Sequence, residues 1–530
     1  MHWAEKIAHD LIRRHPEREV FTCASGISPS GPIHVGNLRD ILTIWFVGKV
    51  LEEQGKTVRF FHSWDDYDRL RKLPQNVPES YSNFIGKPLA HIPDPWGGYE
   101  SYALRHEREF EESLRALGIV IELRSQATMY QSGAYRNGIL EAVRARKTIY
   151  DILAKYRTQD ASEQEREGYY PITIYCEGCN KDTTVILRSD DSEALISYAC
   201  SSCGYQGTID LSRASNVKLP WKIDWAMRWR HENVIFEPGG KDHATSGGSF
   251  DVSSEISTKV FHFKPPLFQP YEFIGLKELT GKMSGSSGQL LTPHEVLQIY
   301  QPEVLLWIFA RIPPTRAFDL VVDDQISRIY EEFDRAYSSV SPNPTDKMAL
   351  HLACVPGRKV HPVSFRQLAS FSGIVQGNCA ALERIFSRIG TPYPRESFEE
   401  RLQKAENWLE HYAPDQRTVL RSGRNTEYFR TLPAREQGWV HELYGWLKAS
   451  TFGVNEATEK VYAISKEPGL TGKEQVSNQR RFFQLVYNLL FGKDKGPRLG
   501  TFLAAVPLDR YIELLNFTDV PGDSLPKSKT

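Results

Sequence analysis

The sequence predicts an α/β fold in which a Rossmann-like parallel sheet carries a nucleotide site, a metal-ribbon insertion interrupts it and a helical half follows. Three observations carry this. Short apolar runs alternate with helical stretches from residue 19 to about 330, the pattern of a parallel sheet with crossover helices. A glycine-rich turn joins the first such run to the first long helix, and two Cys-x-x-Cys pairs fall inside a polar interruption of the pattern.

The first strand is read over Glu19-Val-Phe-Thr-Cys-Ala24 and the helix over Leu38 to Gln54, where Leu38, Ile41, Leu42, Trp45, Val50 and Leu51 fit a 3.6-residue period. Gly55 is placed to stop that helix. Between them runs Gly26-Ile-Ser-Pro-Ser-Gly-Pro-Ile-His-Val-Gly-Asn37. Gly26, Gly31 and Gly36 permit tight turns and close backbone approach, and the free N–H groups of a helix start favour an anion. Read alone, this is an ordinary strand-to-helix turn. It is answered far downstream by a polar loop, Gly281-Lys-Met-Ser-Gly-Ser286, which presents one lysine. Glycine turn, His34, Asn37 and Lys282 together spell phosphate chemistry.

Residues 80–215 read as an insertion, with helix-like Glu100 to Leu117 and Ala134 to Tyr156 ahead of the cysteine pairs. Cys176 and Cys179, then Cys200 and Cys203, stand twenty residues apart with Gly178 and Gly204 at their turns, which is zinc-ribbon spacing over 176–203. Thr183 to Arg188 and Leu195 to Tyr198 would form the intervening hairpin. Four thiolates leave no position for water, so the expected Zn²⁺ is a folding staple; a redox dithiol is the competing reading. The sheet resumes near Trp221.

A Pro-rich patch at Val340-Ser-Pro-Asn-Pro344 separates an α/β half, 1–330, from a helix-rich half, 331–530. Ser397 to Tyr412, Arg435 to Ala449 and Gln479 to Phe491 carry helical spacing of apolar residues, while 521–530 reads as a polar tail.

The 530 residues carry 65 basic and 66 acidic side chains, a net charge of -1, so no global basic field announces a nucleic-acid partner and any RNA surface must be local. There is no run of 18 apolar residues and no secretory-type start, so no membrane partner and a cytoplasmic, reducing compartment are expected.

His34-Val-Gly-Asn37 and Lys282-Met-Ser-Gly-Ser286 resemble the two signature motifs of the class I aminoacyl-tRNA synthetases. Phe60-Phe-His-Ser-Trp-Asp-Asp-Tyr-Asp68, Trp221-Lys-Ile-Asp-Trp-Ala-Met-Arg-Trp229 and Phe236-Glu-Pro-Gly-Gly-Lys-Asp-His243 narrow the resemblance to the class I lysyl-tRNA synthetases, over nearly the whole chain. The resemblance implies ATP-dependent formation of lysyl-adenylate, with Mg²⁺, and transfer of lysine to tRNA, namely tRNA-Lys. It implies a class I catalytic domain over 1–330 and an anticodon-binding region over 331–530; the sequence leaves the oligomeric state open, with a monomer favoured.

In the catalytic role it places His34, Asn37 and Lys282, with Ser284 and Ser286 adding hydroxyl donors. Pro29, Ser30, Gly31, Gly36, Gly239, Gly240, Asp242, His243 and Met283 are the candidates for ATP and the adenylate, Asp242 toward the ribose. For lysine the chemistry asks for a carboxylate to meet the ε-ammonium and an aromatic wall for the methylene stem. Asp40, one helical turn beyond Asn37, supplies the first; Trp221, Trp225 and Tyr271 are candidate walls, with Gly26, Ser28 and His243 beside them. In that family the position of Asp40 more usually carries glutamate, and Gly285 stands where serine or lysine is common. Asp40 keeps open a paralogue that delivers the amino acid to an acceptor other than tRNA. A non-catalytic RNA-binding protein on the same fold is the remaining alternative, opposed by His34, Asn37 and Lys282. Trp408, Tyr428, Trp439, Arg421, Arg424, Arg430, Arg480 and Arg481 could meet bases and phosphates in the helical half, although most read as core or solvated faces.

Overall fold

The computed structural model describes residues 1–157, 162–190, 194–276 and 290–520. The first strand, β1 (Val20–Ile27), is followed by helix α1 (Leu38–Glu53) and strand β2 (Thr57–Trp64); β3 (Glu122–Ser125), β4 (Val234–Gly240) and β5 (Leu267–Tyr271) complete a five-stranded sheet in the order β5-β4-β1-β2-β3. All four pairings are parallel. β1 runs three residues past Ala24 because Ser25, Gly26 and Ile27 stay in register with His62, Ser63 and Trp64. β4 is buried at every position, as a central parallel strand covered on both faces must be.

α1 is buried along nearly its whole length, and its contact with β2 is so close that a Cβ on Gly48 would lie 2.1 Å from the Phe60 ring. Gly55, at φ +76°, ends the helix in the left-handed region that glycine adopts without strain. Arg39, buried at its first turn, donates to the carbonyls of Pro313 at 2.6 Å and Arg316 at 2.9 Å, tying the helix start to the segment after Pro302–Arg311.

The insertion differs in detail from its sequence pattern. Ala134 to Tyr156 is two helices, Arg136–Arg144 and Arg146–Lys155, meeting at Ala145, rather than one. Beyond them an antiparallel sheet of Thr184–Ser189, Leu195–Cys200 and Gln206–Asp210 forms the ribbon, and Thr173–Ile174 pairs with Val217–Lys218 at its base. The backbone of Asp182 donates to Gly86 and that of Gly86 to Leu70, so the ribbon is hydrogen-bonded to the segment leaving β2.

The chain forms two compact units: 1–321 with 339–358, and 322–338 with 359–530. The division is therefore not one cut at residue 330. Residues 339–358 belong with the first unit because Arg358 pairs with Glu303 at 2.6 Å and Arg311 with Asp346 at 3.0 Å. Helix Ile326–Ser338 belongs to the second because Tyr330 stacks on Phe365 at 4.3 Å and Asp334 accepts from buried Arg401 at 2.8 Å. In the second unit the helices Glu399–His411, Ala434–Ala449 and Gly472–Phe491 pack with Trp408, Leu443 and Leu485 inward.

Candidate functional site

β1 continues to β2 and β3 on one side, whereas β4 and β5 lie on the other, so the strand order reverses between β1 and β4. Ligands of open parallel sheets bind at such a switch point, beyond the C-terminal strand ends. A cavity of about 80 Å³ lies there, lined by Gly26, Asp40, Glu237, Gly239, Gly240 and His243, with Trp221, Trp225 and Tyr271 as walls.

Asp40 is 4% exposed, and its carboxylate accepts from the Gly26 N–H at 3.1 Å and from the Tyr271 hydroxyl. Burial raises its pKa well above the usual carboxylate range; nearby Glu237 adds to the rise, and the two donors oppose it. Glu237, 8% exposed in the middle of β4, accepts the indole N–H of Trp225 at 2.9 Å and of Trp229 at 2.6 Å. Burial pushes its pKa up to about 7 against those donors. Arg228 stands beside them, but its charge is engaged by Asp65 at 2.7 Å and Asp224 at 3.5 Å, and it donates to the Ser63 hydroxyl at 2.8 Å. The cavity thus sets two carboxyls and the Arg228 guanidinium, whose charge also opposes the rise at Glu237, against an aromatic flank. Trp221 stacks on Trp225 at 4.9 Å and 20°, and His243 meets Trp225 nearly edge-on at 5.7 Å.

These residues come from three places. Gly26 and Asp40 bracket the turn from β1 into α1, Glu237 to Gly240 end β4, and the tryptophans repeat every four residues along helix α2 (Trp221–Glu232), which puts them on one face.

A larger cavity of about 450 Å³ adjoins the glycine turn and is lined by Ser28, Ser30, Gly31, His34 and Asn37, facing Arg69, Arg71 and Lys72. His34 precedes a 3₁₀ turn, Val35–Asn37, that leads straight into α1, and the Val35 N–H is held by the Leu291 carbonyl at 2.7 Å. With Arg69 paired to Asp182, a histidine, an asparagine amide and the two cations Arg71 and Lys72 beside a helix start suit a polyphosphate.

The two cavities redistribute some candidates. Ser28, expected beside the amino acid, lines the larger cavity; Gly239 and Gly240, expected beside ATP, line the smaller one. Pro29 and Gly36 belong to the first loop, and Asp242 to the 3₁₀ turn Lys241–Ala244 after β4. Lys282, Met283, Ser284 and Ser286 lie outside the described residues.

Glu237, Arg228 and Asp65 stand inside the segments that carry the resemblance but had no role assigned from sequence. Glu237 had a signal: an acid embedded in the apolar run Val234-Ile-Phe236 is costly to bury without a task. The Asp65–Arg228 pair had none, because partners 163 residues apart meet only in the folded chain.

In the ribbon the four sulfurs of Cys176, Cys179, Cys200 and Cys203 lie within 4.8 Å of one another, the sole such group of potential ligands among the described residues. Cys176 and Cys203 are 3.7 Å apart, as are Cys179 and Cys200, and the Gly178 N–H points at Cys176 Sγ at 3.3 Å. Four sulfurs, all from turns and strand ends, fit a tetrahedral thiolate-loving ion.

In the second unit Trp408 and Trp439 are buried, Arg481 is bound to Glu436 at 2.8 Å and Arg424 to Asp519 at 2.9 Å. Both tryptophans are core residues, 2% and 5% exposed.

The family described as tRNA synthetases class I (K) matches residues 1–353. Proteins named lysine–tRNA ligase from Treponema pallidum and Streptomyces coelicolor are each 36% identical to this chain, over 97% of it and 98% of their own length. The namesake from Thermococcus kodakarensis is 36% identical over 97% of this chain and 99% of its own. With the switch-point cavity, the His34–Asn37 turn and this full-length similarity in hand, the chain belongs to the class I (K) tRNA synthetases.

Proposed function

We propose that this chain is an ATP-dependent lysine–tRNA ligase that activates L-lysine to lysyl-adenylate and delivers it to tRNA-Lys. The observation that carries the substrate is the small cavity: two buried carboxyls, Asp40 and Glu237, beside stacked Trp221 and Trp225, next to the larger cavity at His34 and Asn37. An anionic end suits an ammonium, and an indole face suits a methylene stem.

In the first step an oxygen of the lysine carboxylate attacks the α-phosphorus of ATP; the bond to the β-phosphate oxygen breaks and pyrophosphate leaves. In the second, a ribose hydroxyl of the terminal adenosine of tRNA attacks the activated carbonyl and AMP leaves. The protein supplies position and charge compensation rather than a covalent partner. His34 and Asn37 donate to the α-phosphate oxygens as charge builds, Lys282 follows the departing pyrophosphate with Ser284 and Ser286 beside it, and Asp242 accepts from the adenylate ribose. Arg71 and Lys72 face the polyphosphate from the opposite wall. Mg²⁺ bound with ATP neutralises phosphate charge. His243 orients the lysine backbone end, and Gly26 holds Asp40 at the ammonium end.

Cys176, Cys179, Cys200 and Cys203 hold Zn²⁺ as a structural staple. The second unit, 322–338 with 359–530, is assigned to tRNA binding, through exposed surfaces rather than through the buried Trp408 and Trp439. No described helix is long and apolar enough to cross a membrane. As an enzyme that charges tRNA it is assigned to the cytoplasm, as a monomer.

ATP–pyrophosphate exchange across a panel of amino acids, with and without tRNA, followed by charging of total tRNA, tests this. Exchange with lysine together with charging of tRNA-Lys is expected. Exchange without charging would instead favour delivery to another acceptor, and no exchange with any amino acid would overturn the assignment.

A further inference from the structure

The structure points to a second carboxylate in the amino-acid pocket: we propose that Glu237 contacts the substrate directly, so that the lysine ε-ammonium is held between Asp40 and Glu237. The inference rests on the lysine reading above and adds a specificity-determining residue to it. Asp40 is one methylene shorter than glutamate, and it is already drawn back toward the main chain by the Gly26 N–H at 3.1 Å. A short side chain fixed at the rim of β1 leaves part of the ammonium shell unfilled. Glu237 is on the adjacent strand and lines the same cavity, and its carboxyl is near enough to Asp40 for their charges to oppose each other.

Glu237 has capacity to spare. Each carboxylate oxygen offers two acceptor directions, and the indoles of Trp225 and Trp229 use one on each. Those indoles also fix the group rigidly, which is how a selective site presents charge. Arg228, which also lines the cavity, forms its ion pairs with Asp65 and Asp224 and leaves both Glu237 oxygens unpaired by it. Two carboxyls sharing a buried cavity repel one another, and an ammonium placed between them relieves that repulsion. An ammonium bears three N–H donors, enough for Asp40, Glu237 and one further acceptor.

The test compares lysine with norleucine, which keeps the four side-chain carbons and lacks the ammonium, in ATP–pyrophosphate exchange by wild type and Glu237→Gln. The variant is expected to raise the lysine KM at least 10-fold, with the ATP KM and the inhibition constant of norleucine within 3-fold of wild type. Lysine and norleucine weakening in parallel would mean that Glu237 only shapes the wall, and an unchanged lysine KM would also overturn the proposal. Absence of lysine-dependent exchange in the wild type would overturn the lysine reading itself. Should the variant not fold, a crystal structure of the wild type with lysine decides: Nζ within hydrogen-bond distance of a Glu237 oxygen is expected, and Nζ bound without it overturns the assignment.

Discussion

The Gly26 N–H donates to the Asp40 carboxylate at 3.1 Å, linking the C-terminal end of β1 to the first turn of α1 across the glycine loop. One contact thus fixes both the strand end beside which the amino acid would lie and the acid that would neutralise it. Asp40→Asn keeps an acceptor for Gly26 and removes the charge. A charge-assisted hydrogen bond is worth about 1.5–3 kcal/mol, so the lysine KM is expected to rise about 10- to 100-fold with the ATP KM unchanged. Steady-state exchange kinetics in both substrates check this; an equal rise in the ATP KM would place Asp40 in the fold rather than the pocket.

His34 and Lys282 are assigned to charge that exists only as the α-phosphate reacts. Losing one such preorganised donor costs about 3–4 kcal/mol, so His34→Ala and Lys282→Ala should each lower kcat for exchange by two to three orders of magnitude. Thermal midpoints should stay within a few degrees of wild type. Near-normal exchange in both variants would sink the assignment.

Glu237 also makes stability depend on pH. Its pKa stands at about 7 in the folded chain, above the ordinary 4.5, because it is buried. The folded state therefore holds this proton more tightly than the unfolded one, and stability from this group is full below about pH 4.5 and is lost as pH rises toward 7. The gap corresponds to about 3 kcal/mol. Urea unfolding from pH 4.5 to 8 should give a wild-type curve that falls more steeply than that of Glu237→Gln; parallel curves would contradict the raised value.

The ribbon predicts one bound metal ion per chain. Structural zinc sites supply on the order of 10 kcal/mol to modules too small for a core of their own, so Cys200→Ser should lose the metal and open 173–218 to proteolysis while the parallel sheet stays intact. Metal analysis and limited proteolysis read both halves of that expectation. A protease-resistant ribbon without metal would make the four cysteines ordinary core thiols.

Several elements were legible because their determinants are local. The helix Leu38–Glu53 could be read from its apolar spacing and from Gly55, and the ribbon hairpin from its paired cysteines and alternating strands. The two helices within 134–156 read as one because the break at Ala145 carries neither proline nor glycine. Asp40 was legible as an acid one turn beyond Asn37, whereas Glu237 stood in the 236–243 motif with no role assigned, because its approach to Asp40 is made only by the folded sheet.

The sequence by itself determined the chemistry available: a glycine turn with His34 and Asn37, a distant Lys282, four thiols at ribbon spacing and one acid near the phosphate loop. These are choices of residue type at short range, and side-chain chemistry survives without coordinates. Only the tertiary structure decided which groups share a cavity. The parallel sheet sets β1 beside β4 although more than 200 residues separate them, and that adjacency brings Glu237 to Asp40 and Arg228 to Asp65. Burial then does what no sequence pattern states: it strips water from two carboxyls at once and leaves their repulsion to be relieved by a cation.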